Sequence, residues 1–481
     1  MRHLTQSLKH RLYHNRFGLF TFGCLSLITA AVLATSVNIP DLIPPINQSG
    51  AVTVNAQLSQ TKVAQGEQST LYLDVKLKAP RLETAQAEQR ASDIIVILDR
   101  SGSMGGENKM TYAKAAIRDL LSRLNQQDRF ALVSFSNHAI VHAPLAYVDA
   151  SRREQLLSTL NNIQVGGGTN IGDGLTRTVQ LLLTNEQNRA SKVILLSDGQ
   201  VNEGITDLAG LSHIVAKITQ QESVLSSIGM GLDFNETLMS SLADYGMGSY
   251  AYLENLAGLG DLFAQSLNAT RNIYAANSHL SIQLADGVTL IDAGGYPMSK
   301  SKDNTYTIKT GQLLNNRSKQ FVMTFQVNAA ETGAYSLGAM QLTYQAQGEH
   351  KQSIAAEKLN LAVVAAQHRK DAVASIDKAV YKRSWLKNNL GRMQKQLSTY
   401  VRDGNKAKAD QVMTEYRQKL AKAEEAAAMP IMSNEVGAEL QEMEDSIAES
   451  FRGNTVEKEK KRKRAAKSLQ MNSVQSQRAI Q

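Results

Sequence analysis

Over residues 51–79 apolar and polar positions alternate: VTVNAQLS and STLYLDVKLKA place Leu71, Leu73, Val75 and Leu77 at every second position. That period belongs to strands with one buried face. After a polar stretch at 81–90, Ile94-Ile95-Val96-Ile97-Leu98 forms a continuous apolar run, the mark of a strand covered on both faces. Ala113, Ile117, Leu120, Leu121 and Leu124 follow at helical spacing. The strand patterns FALVSF (130–135), VILLS (193–197), SVLSSIG (223–229) and SYAYL (249–253) then alternate with helical stretches. Alternation of this kind over 91–271 predicts a doubly wound α/β domain with helices on both faces of a parallel sheet.

From 277 to 365 the period returns to two, in LSIQL, VTLIDA, TYTIKT, KQFVMTFQV and GAMQLTYQA. This predicts an antiparallel β-sandwich. A lone pair of strands is only marginally stable, so the strands at 51–90 are expected to join that sandwich, with the α/β domain inserted in or flanked by it. Past Gln367, Val373, Ile376, Val380, Leu390, Met393, Leu397 and Val401 fall on one helical stripe. Asp403-Gly404-Asn405 breaks it, a second helix runs from Lys406 to Ala428, and a third is expected at Val436–Ser450. Residues 367–450 thus read as a helical hairpin region. The tail at 451–481, with KEKKRKRAAK at 458–467, reads as basic, solvated and mobile.

The N-terminus has a different character. Phe17 to Val37 carry no charge, while Arg2, Lys9, Arg11 and Arg16 precede them. A basic flank before an apolar run marks residues 1–37 as a signal anchor or a cleaved signal peptide. Pro40, Pro44 and Pro45 make 38–50 a stiff linker. Either fate puts the bulk of the chain in the periplasm or outside the cell, anchored to the membrane or secreted.

Composition excludes several function classes. The 481 residues include one cysteine, Cys24, inside the apolar run, so no internal disulfide and no cysteine zinc cage can form. Aromatics make up 5% of the chain, with a single tryptophan, Trp385, too few for a stacking platform for single-stranded nucleic acid. The net charge of +8 divides unevenly: residues 1–36 carry 4 basic and no acidic groups, 37–370 carry 27 and 29, and 371–481 carry 21 and 15. The positive balance belongs to the targeting flank and the C-terminal helices, and a nucleic-acid partner is not expected.

Three loops carry the chemistry. Asp99-Arg100-Ser101-Gly102-Ser103 follows the first covered strand, GGGTNIGDG places Thr169 just before a helix, and LLSDG puts Asp198 at the end of another covered strand. The C-terminal ends of strands in an open parallel sheet meet at one crevice. Asp99, Asp198 and the hydroxyls of Ser101, Ser103 and Thr169 would then form an all-oxygen site for a hard divalent cation, Mg²⁺ or otherwise Mn²⁺ or Ca²⁺. Small hydroxyl ligands leave a coordination position open to an acidic group from a partner. Asn170 and Asp173 are candidates to support the second loop. The chain has no Walker A pattern, no His-Glu-x-x-His and no Gly-x-Ser-x-Gly elbow, so it reads as non-enzymatic.

DRSGSM, GGGTN and LLSDG, in this order, resemble the metal-ion-dependent adhesion site of the von Willebrand factor type A (VWA) domain. The wider sequence over 91–271 is similar to the branch of that family holding bacterial secreted VWA proteins, inter-alpha-trypsin inhibitor heavy chains and calcium-activated chloride channel regulators. The resemblance implies a Rossmann-like domain with Asp99, Ser101, Ser103, Thr169 and Asp198 as metal residues. It also implies divalent-cation-dependent binding of a protein that supplies an acidic residue. Two other expectations stand beside this one. The chain would be a channel-associated or transport-regulating protein, or a structural component of an envelope complex that self-associates through its C-terminal helices.

Overall fold

The computed structural model describes residues 52–81, 91–183, 189–328, 330–346, 352–355, 359–364 and 366–480. The targeting segment 1–37 and the linker 38–50 lie outside them. Among the described residues no helix is long and apolar enough to cross a membrane.

The chain opens with strands β1 (Thr53–Leu58), β2 (Lys62–Ala64) and β3 (Gln68–Lys78) and then enters the α/β domain. Its strands are β4 (Ser92–Asp99), β5 (Arg129–Phe135), β6 (Ala139–Tyr147), β7 (Ala190–Ser197), β8 (Ser223–Met230) and β9 (Met247–Leu253). They lie in the order β6-β5-β4-β7-β8-β9, every neighbouring pair parallel except β5 with β6. The helices are α1 (Lys109–Arg123), α2 (Ala150–Asn161), α3 (Ile171–Leu183), α4 (Leu208–Gln220), α5 (Glu236–Tyr245) and α6 (Leu259–Arg271).

The unbroken apolar run of β4 has a direct reading here. Ile94, Val96 and Leu98 pack with Ile117 and Leu120 of α1 and Phe263 of α6 on one side. Ile95 and Ile97 pack with Leu175, Val215 and Leu242 of α3, α4 and α5 on the other. A strand alternates its side chains between faces, so a strand with a helical layer on each side must be apolar at every position. Asp149, Asp207 and Asn235 cap α2, α4 and α5 by accepting a first-turn amide hydrogen. The chain leaves β4 for β5 on one side and returns to pair β7 on the other, which places the crevice of the sheet at the ends of β4 and β7.

Eight strands follow: β10 (Ile273–Leu284), β11 (Val288–Ala293), β12 (Met298–Lys300), β13 (Thr305–Leu314), β14 (Ser318–Asn328), β15 (Gly333–Ala346), β16 (Gln352–Ala355) and β17 (Leu359–Val364). One sheet runs β1-β3-β14-β11 and the other β12-β13-β10-β15-β17-β2, with β16 on β15. Leu71, Leu73, Val75 and Leu77 of β3 share a core with Phe321, Met323 and Phe325 of β14 and with Leu280, Ile282 and Leu342 of the facing sheet. Strands from before and after the α/β domain therefore close one sandwich.

The C-terminal region holds α7 (Arg369–Ala374), α8 (Lys378–Arg402), α9 (Lys406–Ala427), α10 (Asn434–Ser450), α11 (Thr455–Gln477) and β18 (Ala479–Ile480). Leu390, Leu397, Val412, Leu420, Leu440 and Leu469 form its core, joined by Tyr72 and Val322 from the outer face of the first sandwich sheet. The expectation of a solvated, mobile tail is corrected. Residues 455–477 are helical, and β18 pairs antiparallel with β14. The basic run is matched by acids far away in sequence: Lys463 meets Asp233 at 3.0 Å, Lys467 meets Glu236 at 3.1 Å and Arg464 pairs with Glu254, while Arg478, just past the helix, pairs with Asp244. The other side of α11 lies against α8, where Ser473 donates to the Gly391 carbonyl at 2.7 Å. A side chain at Gly391 would meet Gln477 Cγ at 2.5 Å, so glycine permits this helix contact.

Candidate metal centre

Each of the three loops is held by a backbone bond to the next. Gly102 N donates to Gly167 O at 3.0 Å and Gly166 N to Arg100 O at 2.8 Å, joining the first loop to the second. Asn202 N donates to Thr169 O at 3.2 Å, joining the second to the third, and Asn202 Oδ1 in turn accepts from Thr169 N at 2.7 Å.

Within this frame the five residues come together. Asp99 ends β4, and its Oδ1 accepts from Ser101 N at 2.8 Å while its Oδ2 accepts from Ser197 Oγ at 2.6 Å. The Ser101 and Ser103 hydroxyls lie 3.0 Å apart, and Ser103 Oγ donates to Asp198 Oδ1 at 2.7 Å. Thr169 belongs to the same group: a Cβ built on Gly199 would lie 2.9 Å from Thr169 Oγ1 and 3.5 Å from Ser103 Oγ. The two hydroxyls thus converge on one small volume that glycine leaves clear. Asp99, Ser101, Thr169 and Asp198 are buried, and Ser103 is exposed.

Electrostatics match a cation. Asp99 is fully buried, and burial pushes its carboxyl up to about 6, with Asp198 adding repulsion against the hydrogen bonds from Ser101 and Ser197. A carboxylate forced up in this way gains most from a positive charge beside it. Among the described residues no group of three or more His, Cys, Asp or Glu side chains is placed to hold a metal; at this crevice the two carboxylates stand beside three hydroxyls. Two carboxylates and three hydroxyls around a volume cleared by Gly199 fit a hard divalent cation.

Sequence reasoning missed Lys109. It lies in the first turn of α1, 4% exposed, and its Nζ is 2.8 Å from Asp198 Oδ2. A Cβ on Gly231, in the loop after β8, would meet Lys109 Cε at 2.9 Å. Lysine among the polar residues of GGENK carries no signal of its own; only the fold brings it beneath Asp198. Ser197 and Asn202 were missed for the same reason. Of the two candidate supports, Asn170 accepts from Asp173 N at 3.0 Å and caps α3. Asp173 Oδ2 accepts from Ala139 N at 2.7 Å, tying α3 to β6 rather than reaching the five residues.

Residues 93–265 match the family described as the von Willebrand factor type A domain. An uncharacterized protein of Synechocystis sp. is 22% identical over 280 residues, 56% of this chain and 66% of its own length. Inter-alpha-trypsin inhibitor heavy chain H4 of Bos taurus is 31% identical over 202 residues, 40% of this chain and 20% of its own. The chain thus spans less than two thirds of these relatives. Among solved structures, a von Willebrand factor type A protein from Catenulispora acidiphila superposes with a TM-score of 0.66 at 17% identity. That likeness covers 89% of this chain and 98% of the other, so it extends well past the α/β domain and shows a shared fold.

Proposed function

From the VWA domain that this chain carries at residues 93–265, we propose a non-enzymatic binding protein of the cell envelope, membrane-anchored or secreted. It captures an acidic residue of a protein partner in a divalent-cation-dependent way. VWA domains mediate protein–protein interaction, and the convergence of Asp99, Ser101, Ser103, Thr169 and Asp198 at the crevice carries the finer reading.

A bound Mg²⁺, or Mn²⁺ or Ca²⁺ in its place, would supply an electrophilic point for a carboxylate oxygen. The chain's own residues set how strongly. Asp99 and Asp198 bring two negative charges, and the Lys109 ammonium beside Asp198 Oδ2 removes one of them. Three neutral hydroxyls add none. A divalent ion at such a site keeps a net positive charge and favours an anion from outside. Exposed Ser103 marks the side from which that anion approaches.

The test is capture of partners from solubilised envelope membranes by the intact protein, with Mg²⁺ and with a chelator. The proposal expects one set of proteins retained with Mg²⁺, released by chelation and absent from Asp99→Ala. Retention unchanged by both treatments sinks it.

A further inference from the structure

We propose that the cleft between the sandwich and the C-terminal helices is a second, metal-independent binding site for an acidic peptide segment of a protein partner. The cleft has a volume of about 530 Å³, within the roughly 300–1,000 Å³ usual for ligand sites. Its floor is the outer face of the first sandwich sheet. α8 packs over Tyr72 and Val322, leaving uncovered the ends of β3 and β14, with their hydroxyl and amide side chains. Its walls are α7, α8 and α9.

The charge of the lining is one-sided. The single lining carboxylate, Glu67, faces Arg369 at 3.6 Å. That leaves Arg392 on α8 and Lys419 and Lys422 on α9, all exposed and without an ion-pair partner among the described residues. Lys419 and Lys422 are three apart on one helix, a spacing at which like charges repel. Three cations around a recess whose single lining carboxylate is already paired favour an anionic occupant. The polar floor offers donors and acceptors to a peptide backbone, and Trp385, nearly buried, backs the wall. A nucleic acid is a poorer match. Strong backbone binding uses on the order of 6–10 phosphate contacts along a surface, whereas among the described residues only three cations without an ion-pair partner line this closed-floored recess. A planar bilayer cannot enter such a recess either.

The cleft contains its own reporter, because Trp385 is the only tryptophan in the chain. The experiment is titration of the full chain with an acetylated hexaglutamate peptide at low salt, read by tryptophan emission. Single-stranded DNA and phosphatidylglycerol vesicles serve as comparison probes, and every arm is repeated in EDTA. The proposal expects a saturable change with peptide that persists in EDTA, weakens with salt, and weakens at least tenfold in Lys419→Glu/Lys422→Glu. The milder Lys419→Gln/Lys422→Gln variant is expected to fall between, which guards against a folding defect. The proposal is overturned by no saturable change with peptide, or by equal affinity in all variants. It is also overturned by tighter binding to DNA or vesicles. A change abolished by EDTA overturns it as well, and assigns the peptide to the metal crevice instead; the reading of that crevice is untouched by the other outcomes.

Discussion

Lys109 and Asp198 form a buried pair whose two members have different sequence signatures. Asp198 stands in a motif that announces it, whereas Lys109 stands in GGENK and is legible only once α1 is seen to start beneath the ends of β4 and β7. Removing one partner of a buried pair costs about 3–5 kcal/mol, so Lys109→Met lowers the thermal midpoint in chelator. Losing that cation also removes repulsion against a second cation at the crevice. Mg²⁺ is therefore expected to raise the midpoint more in Lys109→Met than in the wild type, because an ion bound only by the folded state adds stability in proportion to its affinity. Thermal melts with and without Mg²⁺ read both effects, and an equal Mg²⁺ increment in the two proteins counts against it. The legibility of the five motif residues has a simple cause. Asp99, Ser101, Ser103 and Asp198 stand at the ends of strands whose apolar runs fix where they stop, Thr169 stands just before a helix in a glycine-rich loop, and their chemistry is visible in the residue types.

At the scale of elements, α11 shows why charge runs mislead. Lys461 and Lys463 pair locally with Glu449 and Glu459, but the acids that dock the helix, Asp233, Glu236 and Glu254, lie more than 200 residues earlier, so its basic residues look solvated in sequence. Burial separates their energetic weight. Lys467 is 2% exposed, donates to Phe234 O at 3.0 Å and sits 4.2 Å over the Phe234 ring. Lys467→Ala is expected to cost about 3 kcal/mol in urea denaturation. Arg464, half exposed in its pair with Glu254, is expected to cost less than about 1 kcal/mol as Arg464→Ala. Equal losses would contradict this reading of the contact.

The neighbouring α10 carries a pH effect of definite sign. Glu439 Oε2 is buried without a partner among the described residues, and burial, with Glu442 and Glu435 adding repulsion, pushes its carboxyl up to about 7. The folded state then holds a proton that the unfolded chain has lost above its ordinary 4.5, so stability falls as pH rises through that window. Glu439→Gln is expected to melt higher than wild type at pH 8, with the gain vanishing below pH 4.5. A pH-independent difference in midpoint would count against it.

Over the whole molecule, the strand period separated a parallel, two-faced sheet from an antiparallel sandwich, and the β3–β14 ladder joins residues 68–78 to 318–328. What periodicity could not convey was how the parts touch. α11 spans the space between the hairpin and the α/β domain, and Lys463 reaches Asp233, whose backbone carbonyl also accepts from Gln200 Nε2 at 2.6 Å. Gln200 follows Asp198 and Gly199 directly, so the last helix bears on the rim of the metal crevice. Contacts of this kind join surfaces that leave no periodic trace in either segment.

One divalent ion is expected to bind where the three loops meet. Calorimetric titration of Mn²⁺ into the intact protein, Thr169→Ala and Gly199→Ala measures this binding. The expected result is one ion per chain in the wild type and at least tenfold weaker binding in each variant, where a ligand hydroxyl is lost or a methyl enters the volume it faces. A wild-type chain that binds no ion, or variants that bind it as tightly, would rule out an ion held by these residues.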